Sequence, residues 1–195
     1  GGVRKLGIPT VVDRVIQQGI AQKLQNIWEP LFSDSSYGYR PRRSGQQAIQ
    51  KVKEYAEEGY RYAVSVDLSK YFDTLNHELL MNLLHRKIQD MRVLRIIKKY
   101  LKSGVMENGV VSKTEEGSPQ GGPLSPLLAN IYLNEFDWEM CGRGVKMVRY
   151  ADDIVVFAKS KRAAERLLEF SRKYLEGKLK LKMNTEKSKV TSIFA

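Results

Sequence analysis

Cysteine and histidine are almost missing from this chain. Cys141 stands alone in 195 residues, which excludes an internal disulfide, and His77 and His85 without a second cysteine argue against a structural zinc site. Any metal would therefore be held by oxygen. Long apolar runs are missing too: none approaches the ~20 residues of a membrane span, and no signal-peptide pattern opens the chain. The sequence reads as that of an intracellular, cytoplasmic protein. Acidic residues are also in short supply, with 22 Asp and Glu against 33 Lys and Arg, a formal net charge of +11. A polyanion is the first partner to consider.

That charge is regional. Arg86 to Lys102 holds seven basic residues and one acidic, and Lys159 to Lys189 holds eleven against four, so these stretches exceed the whole net charge and the remainder is slightly acidic. A nucleic-acid track and two solvated helix faces both produce such a pattern.

Val12, Ile16, Ile20, Leu24 and Ile27 recur at helical spacing and predict an amphipathic helix from Thr10 to about Trp28. The polar loop SDSSYGYRPRRS follows, and Ser44 has the chemistry of an N-cap for a helix that stops at Gly59. Alternation in YRYAVSVD predicts a strand that delivers Asp67 at its end. Helices are expected over 76–87 and 90–102, a hairpin around Asn108-Gly109, and a Gly/Pro loop at GSPQGGPLSP. A helix over 126–139, a second hairpin at VRYADDIVVFAKS, a helix over 161–176, and strands at LKLKM and VTSIFA complete the chain. Without the insertions the order is β-α-β-β-α-β, the split ferredoxin-like arrangement, which brings Asp67 beside Asp152.

Adjacent carboxylates at the join of two apolar strands repel, so Asp152-Asp153 asks for a cation. Aspartate is also a favoured turn residue, and the pair alone is read either way. With Asp67 on a neighbouring strand and no zinc-type ligands, the set suits hard divalent ions and phosphoryl transfer.

YADD between apolar strands, VSVDLSKYFDTLNHELL before it, GSPQGGPLSPLLANIYLNEFD between the two and LKMNTEKSK after them resemble the ordered blocks of reverse transcriptases, in the form of group II intron-encoded reverse transcriptase/maturases. RKLGIPTVVDRVIQQGIAQKLQNIWEPLFSDSSYGYRPRRS is similar to the fingers blocks of that family. The resemblance implies an α+β polymerase fingers and palm. The palm is a ferredoxin-like antiparallel sheet with helices on one face, and the fingers are mostly helical with a hairpin. Residues 1–60 are then the N-terminal part of the fingers, 61–75 the palm strand with the first Asp, 76–122 an insertion with the hairpin, and 123–195 palm. Thumb, primer-grip strands, DNA-binding and endonuclease regions are expected to be absent, which implies a fingers and palm fragment.

The resemblance also implies roles. Asp67 and Asp152 match the main metal ligands, with the Leu68 carbonyl as helper and Asp153 as a less direct ligand, for two Mg2+ ions that Mn2+ can replace. Phe72 matches the aromatic gate beneath the incoming sugar, although a core aromatic has the same appearance. Gln120 and Gly121 match the nucleotide-contact loop, Lys187 the lysine near the triphosphate, and Arg4 and Lys5 the basic fingers block. For template RNA, Arg40, Arg42 and Arg43 interleaved with Tyr37 and Tyr39 suit phosphate contact and base stacking; for RNA more broadly, Arg86, Lys98 and Lys99 are the candidates. The implied function is RNA-directed DNA synthesis from dNTPs on an RNA template with a DNA primer. Binding of group II intron RNA would assist splicing and retrohoming. The alternative is a maturase platform without polymerase activity. The setting is the bacterial cytoplasm or an organelle, with a homodimer among the partners allowed for.

Overall fold

The computed structural model describes residues 9–102, 105–107, 110–112 and 122–193. The elements are α1 (Val11–Trp28), α2 (Gly45–Glu57), β1 (Tyr62–Val66), α3 (His77–His85), α4 (Met91–Lys102), β2 (Val105–Glu107), β3 (Val110–Ser112), α5 (Ser125–Gly142), β4 (Lys146–Tyr150), β5 (Asp153–Ala158), α6 (Lys161–Gly177) and β6 (Lys189–Ser192). They form two compact units, Gly1–Leu31 with Lys70–Tyr132 and Phe32–Ser69 with Leu133–Ala195. Among the described residues no helix is long and apolar enough to cross a membrane.

The first unit is mostly helical. Thr10 caps α1, its hydroxyl accepting from the Asp13 amide at 3.2 Å, and Asn76 caps α3 by accepting from the Leu79 amide at 2.9 Å. Each such cap stabilises its helix by about 1 kcal/mol. The buried stripe of α1 differs from the one its periodicity suggests. Gln17, Ala21, Leu24 and Trp28 are buried, while Val12, Ile16 and Ile27 are exposed. Two stripes compete at the same spacing, and the structure buries the one that carries Trp28, the largest side chain. Helix α4 buries Leu94, Ile97 and Leu101 and packs against α3. Strands β2 and β3 pair antiparallel with Glu107 opposite Val110, leaving the two residues 108–109 between them.

The second unit holds the four-stranded sheet, in the order β4-β5-β1-β6, with every neighbouring pair antiparallel. Counting only its own strands this is 2-3-1-4, the split β-α-β-β-α-β arrangement. Helix α6 packs on β1, β5 and β6, and α5 joins the same face through Asp137 and Arg149. Helix α2 covers part of the other face: Ala48 and half-buried Val52 and Tyr55 pack with Tyr37, Val148 and Phe157. Ser44 closes a capping box with Gln47 at the start of α2. Gly144, at φ 68°, ends the turn after α5; its amide bonds the Cys141 carbonyl at 2.8 Å and sends the chain into β4.

One expected strand is absent. LKLKM keeps its alternation, with Leu179, Leu181 and Met183 buried, but makes only a single bridge, Met183 to Leu68. Lys180 adopts a left-handed φ of 56°, and the Leu181 amide is spent on the Leu175 carbonyl at the end of α6. The final strand is β6.

Candidate active site

Strand β1 runs antiparallel to β5 with Val66 opposite Ile154, so the next residues along, Asp67 and Asp153, face each other. Residues paired across antiparallel strands share a face. Val64, Val66, Ile154 and Val156 are buried on the face covered by α5 and α6, and period-two alternation sends Asp67 and Asp153 to the other. Tyr150 pairs with Asp153, so Ala151 and Asp152 form a two-residue hairpin loop. Ala151 stands at φ 58°, a first-loop position that usually takes glycine.

Asp67 and Asp152 are half-buried and Asp153 is exposed. The Asp153 carboxyl is nonetheless pushed above the usual carboxylate range, first by partial burial and then by the charges of Asp152 and Asp67. A carboxylate whose charge is disfavoured by two others is a place where a cation lowers the energy. Among the described residues no group of three His, Cys, Asp or Glu side chains forms a ready metal cage.

The backbone of Asp67 is anchored by the NTEKS segment. The Asn184 amide donates to the Asp67 carbonyl at 2.8 Å, the Ser69 amide to the Lys182 carbonyl at 2.8 Å, and the Asp67 amide to Ser188 Oγ at 3.0 Å. These bonds flank the Leu68–Met183 bridge and leave the Leu68 carbonyl outside it. Asn184 Oδ1 accepts from the amides of Glu186 at 3.1 Å and Lys187 at 3.3 Å. Lys187 is therefore exposed on a turn tied to Asp67. Asn184 and Ser188 are absent from the residues singled out in the sequence; an Asx turn after an apolar strand was their only signal.

Behind the Asp152 turn lies a buried ion pair. Arg149 and Asp137 are both fully buried, with Nη2 to Oδ2 at 2.6 Å and Nε to Oδ1 at 2.8 Å. Arg149 also donates from Nη2 to Ser36 Oγ at 2.8 Å and from Nη1 to the Ala151 carbonyl at 2.9 Å. Sequence reasoning passed over both residues, although a lone arginine inside the apolar strand VRY was a visible signal: a buried charge needs a partner.

The loop before α2 buries two of the template-RNA candidates. Tyr37 and Arg40 are buried, and Arg40 Nη1 donates to the carbonyls of Ser33 at 2.8 Å and Ser36 at 2.9 Å. Its guanidinium thus shapes the loop, and the Tyr37 ring is buried in the cluster under α2, where neither presents an open face. Arg43 pairs with Asp34 at 2.6 Å and lies over the Tyr37 ring. Tyr39 and Arg42 are exposed at left-handed φ of 55° and 62°. Gly38 is pressed against the Asp152 turn: a Cβ there would overlap the Ala151 amide nitrogen and lie 3.0 Å from the Tyr150 carbonyl carbon.

Phe72 is half-buried in the 3-10 turn Tyr71–Asp73, edge-on to Tyr71, whose hydroxyl donates to the Ala129 carbonyl at 2.6 Å. Arg86, Lys98 and Lys99 are exposed, as is His85, while His77 is buried at the start of α3. Arg4, Lys5, Gln120 and Gly121 lie outside the described residues.

The sheet thus has the split β-α-β-β-α-β topology, with aspartates at the end of its first strand and on its central hairpin. The chain belongs to the reverse transcriptase (RNA-dependent DNA polymerase) family, whose model matches residues 1–193. It is 46% identical over 136 residues to the group II intron-encoded protein LtrA of Lactococcus lactis subsp. cremoris, covering 69% of this chain and 22% of that protein. It is 36% identical over an aligned 231 positions to the protein YkfC of Escherichia coli K12, covering 99% of this chain and 61% of that protein. The chain thus spans less than two thirds of the length of these relatives. Its fold is also that of the apo telomerase from Candida tropicalis truncated from its C-terminal domain, with a TM-score of 0.69, 14% identity, and coverage of 93% of this chain and 41% of that one.

Proposed function

We propose that this chain carries the nucleotidyl-transfer site of an RNA-directed DNA polymerase of the group II intron-encoded kind. The observation that carries the reading is the register that sets Asp67 opposite Asp153, with Asp152 on the adjoining turn and mutual repulsion left for a cation to relieve. Asp67 and Asp152, helped by the Leu68 carbonyl, would hold two Mg2+ ions, with Asp153 in a less direct role. When bound, the ions supply Lewis acidity to the primer 3′-hydroxyl and charge neutralisation to the leaving pyrophosphate.

The protein's own part is to orient the reactants. The resemblance supports this part of the reading: Phe72 would lie beneath the sugar of the dNTP and disfavour a 2′-hydroxyl, Gln120 and Gly121 would contact the nucleotide, and Lys187, Arg4 and Lys5 would serve the triphosphate. Tyr39, Arg42 and Arg43 approach the template strand. The test is extension of oligo(dT) on poly(rA) with Mg2+, comparing the chain with Asp152→Asn. Extension by the parent, lost at least 1000-fold in the variant, is the expected outcome, on the scale of losing a major electrostatic contribution. Equal extension by both would sink the assignment.

A second role has its own support in the exposed cations of α4, which suit group II intron RNA. On that reading the chain also holds the folded intron and assists splicing and retrohoming; the splicing assistance should survive Asp152→Asn, whereas retrohoming, which needs DNA synthesis, should not.

A further inference from the structure

The hairpin loop that carries Asp152 is not at rest by local preference. Ala151 at φ 58° occupies a region that L-residues avoid, and such a residue persists only where its surroundings hold it. Arg149 supplies the hold. Its Nη1 donates to the Ala151 carbonyl at 2.9 Å, while its main chain is fixed by the Ser35 carbonyl accepting from the Arg149 amide and the Tyr37 amide donating to the Arg149 carbonyl, each at 2.8 Å. Register pairs Arg149 with Ile154, so the side chain leaves the sheet on the face away from the carboxylates. It therefore acts on them only through the turn.

The choice of residues is informative. A buried ion pair is seldom more stable than a well-packed apolar pair of similar size, so stability alone does not account for Arg149 and Asp137 at complete burial. Arginine is the side chain whose planar fork reaches several acceptors at fixed angles. Here it spans the two Asp137 oxygens, Ser36 Oγ and the Ala151 carbonyl. Through Ser36 and the Gly38 contact with Ala151, the turn is also joined to the loop that presents Tyr39 and Arg42.

We propose that Arg149, held by Asp137, is a positioning residue for the cation site: it locks Ala151 in its left-handed conformation and so fixes where Asp152 and Asp153 stand relative to Asp67. The inference rests on the reading of those three aspartates as cation ligands. Outer partners that orient metal ligands typically contribute about 10- to 100-fold to metal affinity.

The experiment is direct Mn2+ titration of the chain, followed by the electron paramagnetic resonance of free Mn2+, in the absence of nucleic acid. The variants are Asp152→Asn, Arg149→Lys, and Arg149→Met combined with Asp137→Leu, which removes both buried charges together. Thermal melting runs in parallel. The parent is expected to bind Mn2+ and Asp152→Asn to lose binding. The double variant should melt within a few degrees of the parent yet bind at least about 10-fold more weakly. Arg149→Lys, which keeps the charge opposite Asp137 but not the fork, should weaken binding in the same direction, and decides the matter if the double variant does not fold. A folded double variant or Arg149→Lys with parental affinity would overturn the positioning role and leave the cation site standing. No Mn2+ binding by the parent would overturn the cation site itself, and the positioning role with it.

Discussion

On α4 the cations Arg95, Lys98 and Lys99 are exposed, and among the described residues none has an acidic partner; Arg92 alone on that helix is paired, with Asp90 at 3.0 Å. On the last turns of α6 the pattern is reversed. Arg172 pairs with Glu169 at 2.7 Å and Glu176 at 3.6 Å, and Lys173 with Glu169 at 3.5 Å. Both helices carry five basic residues, but α6 also carries three glutamates and α4 no acid. Helix α6 places acids three and four residues from its bases, where side chains meet, whereas α4 has none within reach. Charge already satisfied by a helical neighbour is a poor magnet for phosphate, and open charge is a good one. The Asp152 turn is the same lesson with the sign changed, since its carboxylates are left open while Asp137 is neutralised by Arg149.

Of the tests of this contrast, neutralising α4 should have the largest effect. Arg95→Gln, Lys98→Gln and Lys99→Gln together should weaken binding of structured RNA roughly 100-fold near 0.15 M salt and flatten the slope of log Kd against log salt by about 2 to 3, as expected for three lost phosphate contacts. Filter binding across a salt series measures both quantities, and an unchanged slope would remove α4 from the RNA surface. The matching change on α6, Arg172→Gln with Lys173→Gln, should leave RNA affinity within about twofold. It should cost instead a little stability, the contribution of a few exposed helical pairs, read as a slight fall in Tm. RNA binding that falls as far as in the α4 variant would erase the contrast.

The smallest effect concerns the open carboxylates. Because the folded chain holds the Asp153 proton more tightly than the unfolded chain does, its charge destabilises the metal-free protein at neutral pH. That penalty is relieved as pH falls through the raised folded value and is gone below the ordinary aspartate range. Asp153→Asn should therefore raise the metal-free Tm by about 1–2 °C at pH 7 and by nothing near pH 3. Added Mn2+ should reverse the order by stabilising the parent more. A variant no more stable at pH 7 than at pH 3 would show that the repulsion is already relieved by something other than a cation.

Much of this was open to reading before any coordinates. Ser44, Ser160 and Asn-Gly marked their caps and hairpin through local chemistry, and Asp67 and Asp152 emerged from strand alternation and a turn. What escaped the sequence has a common cause in competition between parts of the chain. LKLKM alternates like a strand, yet the end of α6 claims its backbone. The apolar residues of α1 fit two stripes equally well, and only the packing of Trp28 chooses one. Arg40 and Tyr37 read as exposed residues of the polar loop YGYRPRR, yet the loop folds back and buries them.

By itself the sequence determined most of the helices and strands and the hairpin that carries Asp152, because periodicity, capping and turn preference act within a few residues. Only the tertiary structure decided which charges are open and which are spent. That depends on pairings such as Asp137 with Arg149 and Ser188 with Asp67, whose partners lie 12 and 121 residues apart. The same burial that makes a lone charge untenable selects its partner, and burial is a property of the assembled fold.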